Sequence, residues 1–262
     1  MLNTILPTIH ALWIGSNLGQ LSHCCLSSFV AQGHQVYLHT YNDINDLPKG
    51  VQLADANLII PKNKIIKHKK TGSYALFSDI FRYELLNKVD GIYVDCDVYC
   101  TKPITIPDNG YLFGYEDDNK INGAVLALPK NSLLLNKLIE ISHDSNFIPP
   151  WYSNKAQKRL KIKKMFGIAK HISHMPWGVI GPEAITYYVK EFNLGYLAQP
   201  IDIFYPVHYH CIRLLLEKDL TLSDICTKRT LAVHLYNEML KNINLNQIEK
   251  TSVLSKMLRE EI

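Results

Sequence analysis

Apolar positions in the first half of the chain come in short runs separated by segments with helical periodicity. The short runs predict strands at 9–14, 35–41, 57–60, 91–94, 111–115 and 123–128. The periodic segments predict helices at 21–31, 74–89 and 132–142. Strands that alternate with helices are typical of a mainly parallel sheet covered by helices, so the pattern predicts an α/β fold.

The second half of the chain is less regular. A Pro149-Pro150 break is followed by a basic stretch and by a segment punctuated by proline and glycine at 175–182. With 262 residues, of which 47% are hydrophobic, the chain can fill one large core. We expect a single domain over 1–262, with a regular half at 1–130 and an irregular, helical half at 131–262.

Charge and cysteine content narrow the class of protein. A formal net charge of +4 argues against a surface dedicated to nucleic acid. No apolar run has the length of a transmembrane helix, and residues 1–7 lack the features of a signal peptide. The six cysteines form no Cys-x-x-Cys pair and no zinc spacing, so we expect reduced thiols. These features together predict a cytoplasmic protein.

Two carboxylates, Asp95 and Asp97, follow the strand predicted at 91–94. Because an extended backbone points residues i and i+2 to the same side, both can face one cation. Such oxygen ligands suit Mg²⁺ or Mn²⁺ carrying a diphosphate, and a solvated turn is the alternative. The carboxyl ends of parallel strands are where ligands collect in α/β sheets, which favours a binding site.

The helix predicted at 74–89 is apolar on nearly all sides, which indicates burial. It nevertheless carries Asp79 and Arg82, three positions apart on one face. An ion pair that satisfies itself within the helix is one interpretation. The other is a functional pair, because the helix leads to the sheet edge that carries Asp95 and Asp97.

These motifs resemble a known family. Ser78-Asp79-x-x-Arg82-Tyr83 followed by Gly91-Ile92-Tyr93-x-Asp95-x-Asp97 resembles the signature of glycosyltransferases with a DXD-containing sugar-binding region, of the family 32 type. The opening Ile5-Leu6-Pro7-x-Ile9-His10-x-Leu12-Trp13-Ile14-Gly15 is similar to the first strand of that family. The resemblance implies a GT-A fold, with nucleotide-sugar binding in 1–130 and the acceptor side in 131–262.

The resemblance also implies roles for individual residues. Asp97 would bind the metal directly, while Asp95 would contact the ribose and the metal shell. Asp79 and Arg82 would hold hydroxyls of the donor sugar. The implied donor-binding set is Trp13, Ile14, Gly15, Ser78, Asp79, Arg82, Asp95, Asn122 and Gly123. The implied catalytic set is Asp79, Arg82, Asp95 and Asp97.

Histidines offer a third metal ligand. His234 follows a strand-like apolar run and matches the late histidine of many GT-A enzymes, although a satisfied core histidine is the alternative. His208 and His210 compete with it, since they can face one side of a strand. The implied metal set is therefore Asp95, Asp97 and His234, with Mn²⁺ or Mg²⁺ and a nucleotide-sugar donor, expected to be a UDP-hexose.

The resemblance implies a metal-dependent retaining glycosyltransferase that moves a hexose to a saccharide acceptor such as lipooligosaccharide or capsular polysaccharide. No carboxylate stands out as a covalent nucleophile, so we expect front-face displacement. One alternative is an effector or toxin-like protein glycosyltransferase. A second is a non-catalytic protein that binds a sugar nucleotide or a glycan, and the intact acidic and basic set argues against it.

Two segments of the second half have open interpretations. The segment 177–183 resembles the family's Gly-Pro segment before a helix, and it is either a plain helix start or a helix N-terminus that faces phosphate or acceptor. The stretch 155–170 carries seven basic residues and no acidic one. It is either a solvated helix face or a contact for a phosphorylated saccharide or for anionic lipid on the inner face of the cytoplasmic membrane.

Overall fold

A computed structural model describes residues 5–261 of the chain. The strands are β1 Ile9–Trp13, β2 Val36–Thr40, β3 Val51–Asp55, β4 Ile92–Val94, β5 Val98–Cys100, β6 Leu112–Asp117, β7 Lys120–Ala127 and β8 Ala232–His234. The helices are α1 Gly19–Ala31, α2 Ala75–Lys88, α3 Leu133–His143, α4 Asn154–Met165, α5 Pro182–Glu191, α6 Ile201–Phe204, α7 Leu222–Ile225, α8 Asn237–Leu240 and α9 Val253–Leu258. Short 3₁₀ turns join several of these elements.

The main sheet has the strand order β3-β2-β1-β4-β7-β6. Strands β1 to β4 run parallel to one another, whereas β7 is antiparallel to both β4 and β6. The predicted α/β fold with a mainly parallel sheet is confirmed. Because the chain adds β2 on one side of β1 and β4 on the other, a topological switch point lies between β1 and β4.

Helices cover both faces of the sheet. On one face, α1 packs against β2, β3 and α9 as well as against β5, which pairs with β8 in a separate two-stranded sheet. On the other face, α2, α3 and α5 pack together over β4 and β7. Fully buried Phe29 lies in the first core and fully buried Phe81 in the second. Elements from both halves of the chain thus share each core.

The strand predicted at 57–60 is wrong. Residues 56–58 form a 3₁₀ turn, because the side chain of Asp55 accepts a hydrogen bond from the backbone N–H of Asn57 (2.8 Å). The strand lies just before it, at β3, which borders β2 at the edge of the sheet. Sequence periodicity does not mark β3 because Gln52 and Leu53 are exposed, so the strand has no continuous apolar run.

Two further predictions concern compartment. The prediction that residues 1–7 lack a signal peptide falls partly on residues 1–4, which lie outside the described part of the chain. Within residues 5–261, no helix is both long and apolar enough to cross a membrane. All six cysteines are free thiols, and Cys24, Cys25, Cys96 and Cys100 are buried. The reduced state of the cysteines stays a prediction.

Gly91 allows β4 to approach β1. Its φ is 137°, and a Cβ added there would lie 2.4 Å from the carbonyl oxygen of Thr8. That carbonyl accepts the backbone N–H of Ile92 (2.9 Å), which fixes the start of β4 beside β1. Glycine is thus required here both by conformation and by space.

We expect Gly91→Ala to lower the free energy of unfolding by about 2–4 kcal/mol, because left-handed strain adds to a clash with backbone. Chemical denaturation of the purified protein measures this loss. Gly195→Ala is the matched control, since its Cβ would lie 3.4 Å from the Tyr115 hydroxyl and Gly195 has no positive φ. A Gly91→Ala protein as stable as the Gly195→Ala protein would contradict the prediction.

Candidate active site

The two carboxylates of the Asp-x-Asp motif lie in a tight turn at the switch point. Asp95 follows β4, and Asp97 precedes β5. The backbone N–H of Asp95 donates to the carbonyl of Ala124 on β7 (2.9 Å), and the N–H of Val98 donates to the carbonyl of Asp95 (3.2 Å). The expected extended backbone is wrong, because the chain reverses here. The turn nevertheless directs both side chains toward a common space.

Strand β8 brings His234 to this turn from the far end of the chain. It pairs antiparallel with β5, so that His234 lies opposite Val98. The Nε2 of His234 is 3.2 Å from Oδ1 of Asp97, and the backbone N–H of Asn237 donates to Oδ2 of Asp97 (2.9 Å). Tyr236, between them, has a left-handed backbone with φ of 47°, which bends the chain toward Asp97.

Electrostatics reinforces the contact between Asp97 and His234. Burial alone would raise the pKa of Asp97, but His234 and the N–H of Asn237 hold it below its usual range. Burial opposes the charged imidazole, yet the neighbouring Asp97 carboxylate raises the pKa of His234 above 6.5. Because an ionised carboxylate can only accept, Nε2 of His234 is the donor of the hydrogen bond to Asp97.

Asp95, Asp97 and His234 form a group that can hold a metal ion. One ligand atom from each lies within 4.8 Å of the other two. The competing histidines, His208 and His210, lie at the start of a 3₁₀ helix and not on a strand. The expectation that they face one side of a strand is wrong, and among the described residues they are not part of this group.

On the other side of the turn, the guanidinium of Arg82 lies between two carboxylates. Its Nη2 is 3.0 Å from Oδ1 of Asp95 and 3.3 Å from Oδ1 of Asp79. The Arg82 side chain is 5% exposed and that of Asp95 is 25% exposed, so only the Asp95 end of the network reaches solvent. The predicted pair within α2 is thus also linked to the Asp-x-Asp turn.

Ser78 and Tyr93 complete this network. The hydroxyl of Tyr93 donates to Oδ1 of Asp95 (3.1 Å) and lies 2.8 Å from the hydroxyl of Ser78. Because the Tyr93 hydroxyl donates its hydrogen to Asp95, the Ser78 hydroxyl is the donor in the hydrogen bond between Ser78 and Tyr93. The guanidinium of Arg82 also lies 4.8 Å from the centre of the Tyr93 ring. Each of these contacts holds the Asp95 carboxylate in one position.

The pKa values of the two carboxylates reflect burial. Desolvation raises the pKa of Asp79 to about 7, even though Arg82 acts in the opposite direction. Desolvation also raises the pKa of Asp95, with Arg82 lowering it and Asp97 raising it further. The three carboxylates are therefore held close together at an electrostatic cost that a bound cation would reduce.

Two glycines allow the chain to approach Asp79 and Arg82 closely. A Cβ added at Gly181 would lie 2.4 Å from Oδ2 of Asp79, and one added at Gly123 would lie 2.6 Å from Nη1 of Arg82. The Gly181 segment is fixed on α2 because the hydroxyl of Tyr83 donates to the carbonyl of Ile180 (2.8 Å). The segment at 177–183 therefore does more than begin α5, since it closes over Asp79.

The remaining predicted donor-binding residues lie along the same edge of the sheet. Asn122 and Gly123 are on β7, where the Asn122 amide donates to Oε1 of Glu116 (3.1 Å). Trp13 ends β1, and Ile14 and Gly15 follow it. The thiol of Cys96 donates to the carbonyl of Leu12 (3.4 Å), which joins the end of β1 to the Asp-x-Asp turn.

Sequence reasoning did not single out several residues that build the site. Tyr93 is two positions before Asp95 on β4, so strand alternation could have placed it on the same side. Glu116 is the buried partner of Asn122 and carries no local signal of that pairing. The left-handed turn at Tyr236 and the backbone N–H of Asn237 likewise leave no mark in the sequence.

The fold and the site together agree with one class of enzyme. Residues 27–117 match a family model described as a glycosyltransferase sugar-binding region containing a DXD motif. The matched range contains α2 with Asp79 and Arg82 as well as the turn with Asp95 and Asp97. The match supports glycosyltransferase activity for the chain. Among proteins with curated descriptions, none matches its sequence significantly.

Several solved structures are similar to the chain at low sequence identity. The "PaToxG Glycosyltransferase" is 18% identical with a TM-score of 0.45, over 73% of this chain and 71% of that one. Mouse xyloside xylosyltransferase 1 is 10% identical with a TM-score of 0.37, over 71% and 82% of the two chains. An active-site mutant of LgtC is 10% identical with a TM-score of 0.35, over 69% and 68%.

We expect Arg82→Gln to lower the free energy of unfolding by about 3 kcal/mol, because two carboxylates are left buried without their cation. Urea denaturation at neutral pH measures the loss. The matched control is Lys130→Gln, which breaks a pair with the exposed Asp90 (2.9 Å). That exposed pair contributes at most about 1 kcal/mol. Equal losses in the two variants would refute a structural role for the buried guanidinium.

Proposed function

We propose that the protein is a metal-dependent retaining hexosyltransferase of the family 32 type. It takes a hexose from a nucleotide diphosphate sugar, expected to be a UDP-sugar, and transfers it to a saccharide such as lipooligosaccharide or capsular polysaccharide. The observation that carries this proposal is the convergence of Asp95, Asp97 and His234 beside the buried Arg82 and Asp79. One side of the turn thus suits a metal diphosphate, and the other suits a sugar.

The chemistry of the three ligand atoms suits a divalent cation. Two carboxylates and one imidazole form a mixed oxygen and nitrogen set, which fits Mn²⁺ better than Mg²⁺, an ion that prefers oxygen ligands. A bound ion would replace the proton that His234 now donates to Asp97, since a metal ligand must be deprotonated at the ligating atom. When bound, the ion would supply positive charge that stabilises the leaving diphosphate.

The donor sugar is assigned to the opposite side of the turn. Asp79 offers carboxylate oxygens to sugar hydroxyls, and Arg82 holds Asp79 and Asp95 in place through its guanidinium. Gly123 lies against the guanidinium of Arg82, and Asn122 precedes it on β7. We assign the nucleotide to the end of β1 at 13–15, because this segment lies beside the Asp-x-Asp turn. The irregular second half is assigned to the acceptor, although it also supplies His234.

Retention requires that the new bond form on the face from which the old one leaves. The bond between the sugar C1 and the diphosphate oxygen breaks, and the acceptor oxygen bonds to C1 while its proton passes to the leaving phosphate oxygen. Among the described residues, Asp79 and Glu116 are the buried carboxylates. Glu116 accepts from Asn122 and pairs with Lys120 (3.0 Å), and Asp79 pairs with Arg82 (3.3 Å), so neither carboxylate is free to act as a nucleophile. This favours front-face displacement.

Metal dependence is tested by turnover of UDP-sugars, followed by mass spectrometry, with Mn²⁺, with EDTA and in the Asp97→Asn variant. We expect EDTA and Asp97→Asn each to lower kcat/KM by about 100-fold or more, since charge on the leaving group is no longer neutralised. Mn²⁺ binding, measured by electron paramagnetic resonance, should weaken by at least about tenfold. Equal turnover in all three cases would overturn the proposal.

Two control variants accompany this experiment. Asp90→Asn removes a carboxylate whose side chain is 93% exposed and lies just before β4, so turnover and Mn²⁺ binding should be unchanged. His208→Asn should also leave Mn²⁺ binding intact, whereas His234→Asn should weaken it. If His208→Asn weakened Mn²⁺ binding and His234→Asn did not, the third metal ligand would belong to the His208 region instead.

Asp79 is tested through its backbone neighbour. We expect Gly181→Ala to lower kcat/KM for the donor by about tenfold or more, because a methyl group 2.4 Å from Oδ2 must displace the carboxylate. Mn²⁺ binding should persist, since Asp97 and His234 are untouched. The Gly195→Ala variant is the control with normal turnover. Full activity of the Gly181→Ala enzyme would show that the position of Asp79 is irrelevant to transfer.

A further inference from the structure

Helix α4 presents a basic surface, and its Leu160 is a partly buried residue that packs against the second core. We define the α4 surface as residues 155–170, and none of the residues of α4 is buried. Its basic residues are Lys155, Lys158, Arg159, Lys161, Lys163, Lys164 and Lys170. Among these, Lys164 lies 3.5 Å from Asp144, a neighbour outside the surface. The segment itself contains no acidic residue, so its field is uniformly positive.

Large apolar side chains are exposed at the C-terminal end of the same helix. Met165 is 75% exposed, Phe166 70% and Ile168 66%, and Ile162 one turn earlier is 43% exposed. A monomeric protein gains nothing from four such side chains in water at one place, and patches of this kind mark interaction sites. A solvated helix face, the simplest interpretation of the sequence, does not account for them.

The backbone holds this apolar end in a defined conformation. The N–H of Ile168 donates to the carbonyl of Lys163 (3.0 Å), and the N–H of Gly167 donates to that of Lys164 (3.2 Å). With Gly167 at φ of 73°, this is a Schellman motif, which ends the helix and turns the chain back. The motif therefore presents the apolar side chains from a fixed turn, surrounded in sequence by lysines.

We propose that the α4 surface docks the protein onto a bilayer with anionic headgroups. The lysines and the arginine contact lipid phosphates and carboxylates, while the apolar end enters the boundary between headgroups and acyl chains. We choose an anionic bilayer because its negative headgroups complement the basic residues of the α4 surface. The exposed apolar side chains distinguish a bilayer from other polyanions, which offer them no apolar interior. A nucleic acid would use the basic residues but would leave Met165, Phe166 and Ile168 in water.

The α4 surface is connected to the candidate active site through α5. The indole N–H of Trp151, just before α4, donates to Oε2 of Glu183 in the first turn of α5 (3.0 Å). Glu183 is two residues after Gly181, which contacts Asp79. A protein docked through the α4 surface would favour acceptors attached to lipid. That last step rests on the proposed function, whereas the docking itself does not.

Flotation of the full chain with vesicles at low salt tests the docking. We expect binding to vesicles of phosphatidylcholine mixed with phosphatidylserine and no binding to phosphatidylcholine alone, with binding lost at high salt. The combined variant Lys155→Gln, Lys158→Gln, Lys161→Gln should bind about 100-fold more weakly, since each lysine near an anionic surface contributes roughly a factor of five. The matched control, Lys49→Gln, Lys218→Gln, Lys250→Gln, removes the same charge from exposed positions elsewhere.

A second variant, Phe166→Ser with Ile168→Ser, keeps every charge and removes two apolar side chains. We expect it to bind anionic vesicles at least about tenfold more weakly than the parent protein. Both changes are at exposed positions, so an unchanged thermal melt should accompany them. The proposal would be overturned if the protein did not bind anionic vesicles, or if the two lysine variants lost binding equally. It would also be overturned if the protein bound DNA tightly and the apolar variant had no effect on that binding. UDP-sugar turnover in solution, measured in parallel, reports separately on the proposed function.

Discussion

The arrangement of the site depends on the placement of one buried guanidinium. Arg82 contacts Asp79 on its own helix and Asp95 beyond β4, and these contacts join α2 to the turn between β4 and β5. Three carboxylates face one guanidinium and one imidazole here, and burial raises the pKa of Asp79 and of Asp95, so ionising all three carboxylates together costs energy. The metal ion that we propose would offset that cost through its positive charge.

Topology explains why these groups meet. Strands β1 and β4 are neighbours whose connections lead to opposite sides of the sheet, so a crevice opens at their carboxyl ends. The crevice is closed by two elements of the second half, the Gly181 segment over Asp79 and β8 beside Asp97. The irregular half therefore supplies part of the candidate active site. Its short strand β8 is held by pairing with β5, which directly follows the Asp-x-Asp turn.

Sequence patterns predicted those parts of the site that depend on residues close together in the chain. The spacing of Asp79 and Arg82 places both on one face of a helix, and a run of apolar residues before Asp95 marks a buried strand. The turn that follows β4 was expected to be extended, because two carboxylates one residue apart look the same in both conformations. The contact between Asp97 and His234 is set by pairing of two three-residue strands, which are too short for periodicity to reveal. Resemblance to a family, rather than spacing, pointed to His234.

The start of α5 links the two functions that we assign to the molecule. Gly181 must be small because Asp79 lies against it, and Pro182 then begins the helix without needing a backbone donor. Glu183, in the same turn, accepts the indole N–H of Trp151 and so fixes the segment that leads to α4. The segment before α4 is thus joined by one hydrogen bond to the segment that closes over Asp79. Sequence periodicity shows α4 only as a polar helix, and its role follows from the four apolar side chains that its C-terminal turn leaves exposed.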